Sequence, residues 1–249
     1  MAERFPYCCS WATKELRTLH DTLWRHELLA NQPYPDMVAQ TIQLCSSCER
    51  GGRARRCRGW LLTIAPTTPL VFKAAKVRGR LVRPELQVLA DFRRTTSETG
   101  VLWKDRPVGR LNVTVEMYSV NDEQLLARHH ADLSDPMQDG PVWHLQFGGN
   151  PSGEERLPDS WLSVPRWPAA PGEAVLACDL IAYSFHYPRW LELQTDGGWV
   201  RLVQRAEDLM MTQYLERLKA HFSAQAHDRQ STWLAAQDNK GGAWDPRPR

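Results

Sequence analysis

Leu111-Asn112-Val113-Thr114-Val115-Glu116-Met117 alternates apolar and polar residues with a period of two. Successive side chains of a strand point to opposite faces, so this stretch predicts a strand with one face on a core and one polar face. The turn signal Asn121-Asp122 follows and leads into a second strand over 124–133. Residues 142–147 read as a further strand, closed by Gly148-Gly149. Upstream, 60–64 reads as a strand, 66–69 as a turn, and 70–82 as a strand with Lys and Arg alternating outward. Short connections between consecutive strands predict antiparallel pairing, because parallel neighbours need a long crossover.

Outside this block the periodicity is helical. Ser10 is placed to cap a helix whose stripe runs through Leu16, Leu19, Leu23, Trp24 and Leu28 and which Asn31 and Pro33 end. Asp36 is placed to cap a second, with Val38, Ile42 and Cys45 on one stripe and Gly51-Gly52 as its stop. Residues 150–172 carry five prolines and read as a loop anchored by Trp161 and Trp167. Next come a buried helix over 173–185, a tight turn at Asp196-Gly197-Gly198, and an amphipathic helix over 206–222 with Leu209, Met210, Tyr214, Leu218 and Phe222 on one side.

The expected fold is α+β: an N-terminal helical pair, a central antiparallel sheet, and C-terminal helices packed on the sheet. In domain terms, 1–58 is a helical extension with a basic loop, 59–237 is the core, and 238–249 is a loose polar tail.

A hydrophobic content of 42% is enough for a sizeable core, and eleven tryptophans would fill much of it. The first residues, MAERFPYCCSW, contain no apolar secretory core. The most apolar stretch, 174–183, is broken by Asp179 and is too short to span a bilayer. These features predict a cytoplasmic protein with no membrane partner.

Charge is segregated along the chain. Between Arg50 and Arg94 there are twelve Lys and Arg against Glu85 and Asp91, a net of +10, whereas the whole chain is +2 and the remainder therefore −8. Arg53, Arg55, Arg56 and Arg58 form a loop cluster, continued by Lys73, Lys76, Arg78, Arg80 and Arg83. On a single strand, 76, 78 and 80 would share one face. Arginine grips phosphate oxygens in a two-pronged fork, so this segment is the candidate nucleic-acid contact, with Trp60 and Phe72 as candidate stacking partners. An acidic protein partner would suit the same charge, and a solvated sheet edge is the reading without function.

Cys45-Ser46-Ser47-Cys48 has the spacing of a zinc half-site, with Cys57 as a third ligand and Cys8, Cys9 or His26 as a fourth. No second such pair exists, and Cys45 and Cys48 also fit a helix stripe as buried thiols. The expectation is therefore no cofactor, with structural zinc as the alternative.

Arg128-His129-His130-Ala131-Asp132 lies on one predicted strand and His144 on the next. If those strands pair, His130 and His144 with Arg128 are the raw material for metal-independent RNA cleavage. One imidazole would take the 2′-hydroxyl proton, the other would protonate the leaving oxygen, and the guanidinium would steady the phosphorane. No phosphate-binding loop, dinucleotide fingerprint, nucleophile elbow or H-E-x-x-H motif occurs.

The leading expectation is a non-enzymatic binding or accessory protein contacting RNA, DNA or an acidic partner through residues 50–83. The alternatives are a small ribonuclease and an interaction subunit with a tryptophan-rich docking surface.

Overall fold

A computed structural model describes residues 9–31, 59–93, 110–133, 143–147, 167–168, 172–212, 214–216 and 219. The strands are β1 (Gly59–Ile64), β2 (Leu70–Val71), β3 (Ala75–Val77), β4 (Arg80–Arg93), β5 (Arg110–Ser119), β6 (Leu125–Leu133), β7 (Trp143–Phe147) and β8 (Trp167–Pro168). The helices are α1 (Cys9–Arg25), α2 (Ala174–Phe185), α3 (Tyr187–Leu193) and α4 (Gly197–Glu207), the last running into a π-helical turn, Asp208–Thr212.

All strand pairs are antiparallel. The long β4 is the spine. Along one side it receives β1, β2 and β3 in succession; on the other it pairs with β5, and β6, β7 and β8 follow outward. This is the expected antiparallel α+β arrangement. The second predicted helix, over 36–51, lies outside the described residues.

Alternation in the strands decides which face is buried. Leu62 and Ile64 of β1, Leu86, Val88 and Ala90 of β4, and Leu111 and Val113 of β5 lie in one core. That core also takes Leu16, Leu19 and Leu23 of α1, Cys178, Ile181 and Ala182 of α2, and Trp199, Leu202 and Ala206 of α4. Burying one leucine stabilises by about 1.5–3 kcal/mol. The three α1 leucines thus bind that helix into the core.

Two departures from expectation bear on the site. Residues 70–82 are not one strand: β3 and β4 form a hairpin, Val77 pairing with Arg80 and Lys76 with Leu81. Its two turn residues, Arg78 and Gly79, have φ of +48° and +89°. A two-residue hairpin loop with both central residues in that region matches the right-handed strand twist. Consequently Lys76, Arg78 and Arg80 do not share a strand face. The second departure is β4 itself, whose stretch beyond Val82 the sequence does not announce because Pro84 interrupts it. Pairing of β4 with β2 stops at Val71–Glu85 and resumes with β3 at Ala75–Val82. Pro84 sits in that gap, where a missing N–H removes no ladder bond. Its carbonyl still accepts from Phe72 N at 2.9 Å.

Helix α1 ends at Arg25, earlier than its apolar stripe implies. Glu27 adopts a left-handed φ of +56°. Leu28 N donates to Leu23 O and Glu27 N to Trp24 O, each at 2.9 Å, the paired bonds that close a helix C-terminus. Leu28 and Ala30 then bond to the sheet edge, through Lys73 N to Leu28 O and Ala30 N to Val71 O, each 2.8 Å.

At the other end of the chain, Glu173 caps α2 by accepting from Val175 N at 2.9 Å and Leu176 N at 3.2 Å. Pro188 occupies the first turn of α3, where it has no N–H to lose, so the chain breaks at His186 instead of continuing α2. Asp196-Gly197-Gly198 is not a separate turn. Asp196 caps α4, accepting from Gly198 N at 2.8 Å, and the glycines form the first helical turn. The predicted 206–222 helix thus begins at Gly197 and contains a π-helical turn. Among the described residues no helix is long and apolar enough to cross a membrane.

Candidate functional site

The β3–β4 hairpin ends in six consecutive exposed residues, Lys76, Val77, Arg78, Gly79, Arg80 and Leu81. The next pair inward, Ala75 and Val82, is buried and anchors the tip. Three cations therefore gather around one turn, brought together by the hairpin and not by strand alternation. The neighbouring β5–β6 turn is acidic. Asp122 there accepts from Gln124 N at 3.3 Å and bonds Ser119, and its carboxyl is held below its ordinary range first by that Ser119 bond. Arg80 adds a smaller through-space contribution.

Arg83 does not belong to this cation cluster. Its guanidinium bonds Glu123 with two nitrogens, at 3.0 and 2.6 Å, and Glu85 at 3.0 Å, and it lies 5.6 Å from the Tyr118 ring centroid. Hydrogen bonding to Glu123 is the main reason its pKa is raised. Lys73 stands 4.0 Å from Glu27. Phe72 is fully buried, so it cannot stack on a base. Arg53, Arg55, Arg56, Arg58 and the cysteines Cys45, Cys48 and Cys57 lie outside the described residues.

The second candidate region is the sheet face opposite the core. Glu116 is its hub, 8% exposed. Gln87 Nε2 donates to it at 2.8 Å and the Tyr118 hydroxyl at 2.9 Å, while Arg128 Nε lies 3.3 Å from its other oxygen. Burial first, then the bond to Glu116, pushes the Tyr118 phenol up to about 12. Glu85 and Glu116 are direct cross-strand partners, a repulsive pairing alone. Arg83 offsets one and Arg128 the other.

Beside this hub, His130 Nε2 is 3.4 Å from Asp132 Oδ2. The Asn112 amide donates to Asp132 Oδ1, and the Thr114 hydroxyl donates to Asn112 Oδ1 at 3.0 Å. The β6–β7 register sets His144 opposite Asp132 and Gln146 opposite His130. The strands that carry the two predicted catalytic histidines therefore do pair, with positions 130 and 144 diagonal to one another. Asn112, Thr114, Glu116 and Asp132 were not singled out by sequence reasoning, although their alternation was visible; what makes them a network is cross-strand register.

Tryptophan serves mainly the interior where it is described. Trp199 is fully buried and Trp190 half-buried, whereas Trp24 is 42% exposed. Among the described residues no three His, Cys, Asp or Glu side chains are grouped to hold a metal ion. Comparison of the chain with protein-family models, curated proteins and solved structures finds no match.

Proposed function

We propose that this chain is a non-enzymatic nucleic-acid-binding protein whose contact surface is the basic segment of residues 50–83, with the β3–β4 hairpin as its structured part. The observation that supports this reading is Arg78. A left-handed turn position favours Asn or Gly, and an ordinary residue there carries a conformational cost. An arginine kept at such a position, between Lys76 and Arg80 and fully in solvent, fits phosphate contact better than it fits hairpin stability.

Binding of a labelled oligonucleotide across a salt series tests it. Each phosphate neutralised contributes about −0.7 to −0.9 to the slope of log K against log salt. Replacing Lys76, Arg78 and Arg80 together by Ala is expected to flatten that slope by about 2–3 units. An unchanged slope would remove the hairpin as the contact. Binding to an acidic protein with none to oligonucleotides would transfer the surface to that partner class.

A second reading, metal-independent ribonuclease action by His130, His144 and Arg128, is favoured by the register that sets both histidine positions around Asp132. Against it stands the pairing of Arg128 with Glu116, which already offsets the charge a phosphorane would need. In chelator-treated protein, His130→Ala is expected to lower RNA cleavage about 10²–10⁴-fold if the reading holds. Equal cleavage by the folded variant would end it.

A further inference from the structure

The separation of His130 Nε2 from Asp132 Oδ2, 3.4 Å, is long for a direct hydrogen bond. It suits a different arrangement. Two ligand atoms each about 2.1 Å from a tetrahedral ion stand roughly 3.4 Å apart. The carboxylate is also oriented as metal-binding carboxylates are: its other oxygen is held by Asn112, which is itself held by Thr114. The sequence His130-Ala131-Asp132 puts both groups on one sheet face, because residues two apart on a strand point the same way. Position 144 of β7 is the direct cross-strand partner of Asp132. Directly opposed residues have Cβ atoms only about 4.5–5.5 Å apart, within reach of a shared ion for an imidazole.

We propose that His130, Asp132 and His144 form a two-histidine, one-carboxylate site for a first-row divalent metal ion, the third ligand assigned from strand register. Two imidazoles and one carboxylate suit zinc, iron(II) or cobalt(II) and not magnesium or calcium, which take oxygen ligands. Three ligands from one side of an ion leave positions open for water or substrate. The site is separate from the hairpin cations and does not depend on their binding nucleic acid.

The test begins with wild-type full-length protein, stripped with chelator and titrated with cobalt(II). The expected result is one equivalent bound, with weak visible d–d bands and no thiolate-to-cobalt charge transfer in the near ultraviolet. Charge-transfer bands would send the ion to the cysteines and overturn the proposal, as would the absence of stoichiometric binding. Zinc is then measured by elemental analysis in variants whose fold is checked by circular dichroism. His130→Ala, Asp132→Ala and His144→Ala should each lose the bound ion. Asn112→Ala, which leaves all three ligands in place, should weaken it about 10–100-fold. A Cys45, Cys48, Cys57→Ser triple variant should retain it. Retention in folded His130→Ala with loss in the cysteine variant would also overturn the assignment.

Discussion

Trp199→Ala is expected to destabilise the fold by about 3–5 kcal/mol in urea denaturation. Trp199 is fully buried at the meeting of α2, α4 and the sheet core. Its truncation removes a large apolar surface and leaves a cavity that close-packed neighbours fill only in part. It also removes a polar contact. Trp199 Nε1 and Trp190 Nε1 both donate to Asp179 Oδ1, each at 3.0 Å, and Gln194 Nε2 approaches the same oxygen at 3.4 Å. That explains why an aspartate interrupts the most apolar stretch of the chain: one carboxylate from α2 anchors an indole from α3 and another from α4. Asp179→Ala should therefore cost about 2–4 kcal/mol, since hydrogen bonds to a charged acceptor contribute about 1.5–3 kcal/mol each and both donors lose theirs. In a double-mutant cycle, Trp199 and Asp179 should couple by about 1–3 kcal/mol. Domains of this kind are stable by about 5–15 kcal/mol, so either change removes a substantial fraction. A loss below about 1 kcal/mol in Trp199→Ala would show that the helical layer is not packed as described.

The second large effect is a pH dependence centred on Glu173. Its carboxyl caps α2 from within the core, and burial raises its pKa to about 7 despite the Val175 and Leu176 N–H bonds that pull it down. The folded pKa thus lies above the unfolded one of 4.5. The folded state then holds a proton that the unfolded chain releases. Stability should be highest below about pH 4.5, fall as pH rises toward 7, and level off above. Each tenfold difference in proton affinity between the folded and unfolded states is worth about 1.4 kcal/mol, so the total drop is about 3 kcal/mol. Glu173→Gln keeps an oxygen that accepts the two N–H bonds while removing the ionisation. It should match wild type at pH 4 and exceed it by up to about 3 kcal/mol at pH 8. Parallel stability profiles for the two proteins between pH 4 and 8 would refute this account.

Local pattern alone determined much of the architecture. The alternation over 111–117 predicted β5 and its polar face, 60–64 predicted β1, and 124–133 and 142–147 predicted β6 and β7. The leucine stripe in α1 and the apolar run of α2 were equally legible, because a burial period of two or of about 3.6 is written directly in residue order. Three things were decided only by tertiary structure. The 70–82 stretch folded back at Arg78-Gly79 because glycine at positive φ permits a reversal that a charge pattern does not announce. Residues 80–93 became the central strand despite Pro84, because the gap between β2 and β3 spares the proline its missing N–H. The polar face became a network because register set Glu85 and Glu116, Asn112 and Asp132, and Asp132 and His144 opposite one another. Register depends on long-range pairing and turn geometry, and a shift of one residue would have sent those same side chains into the core.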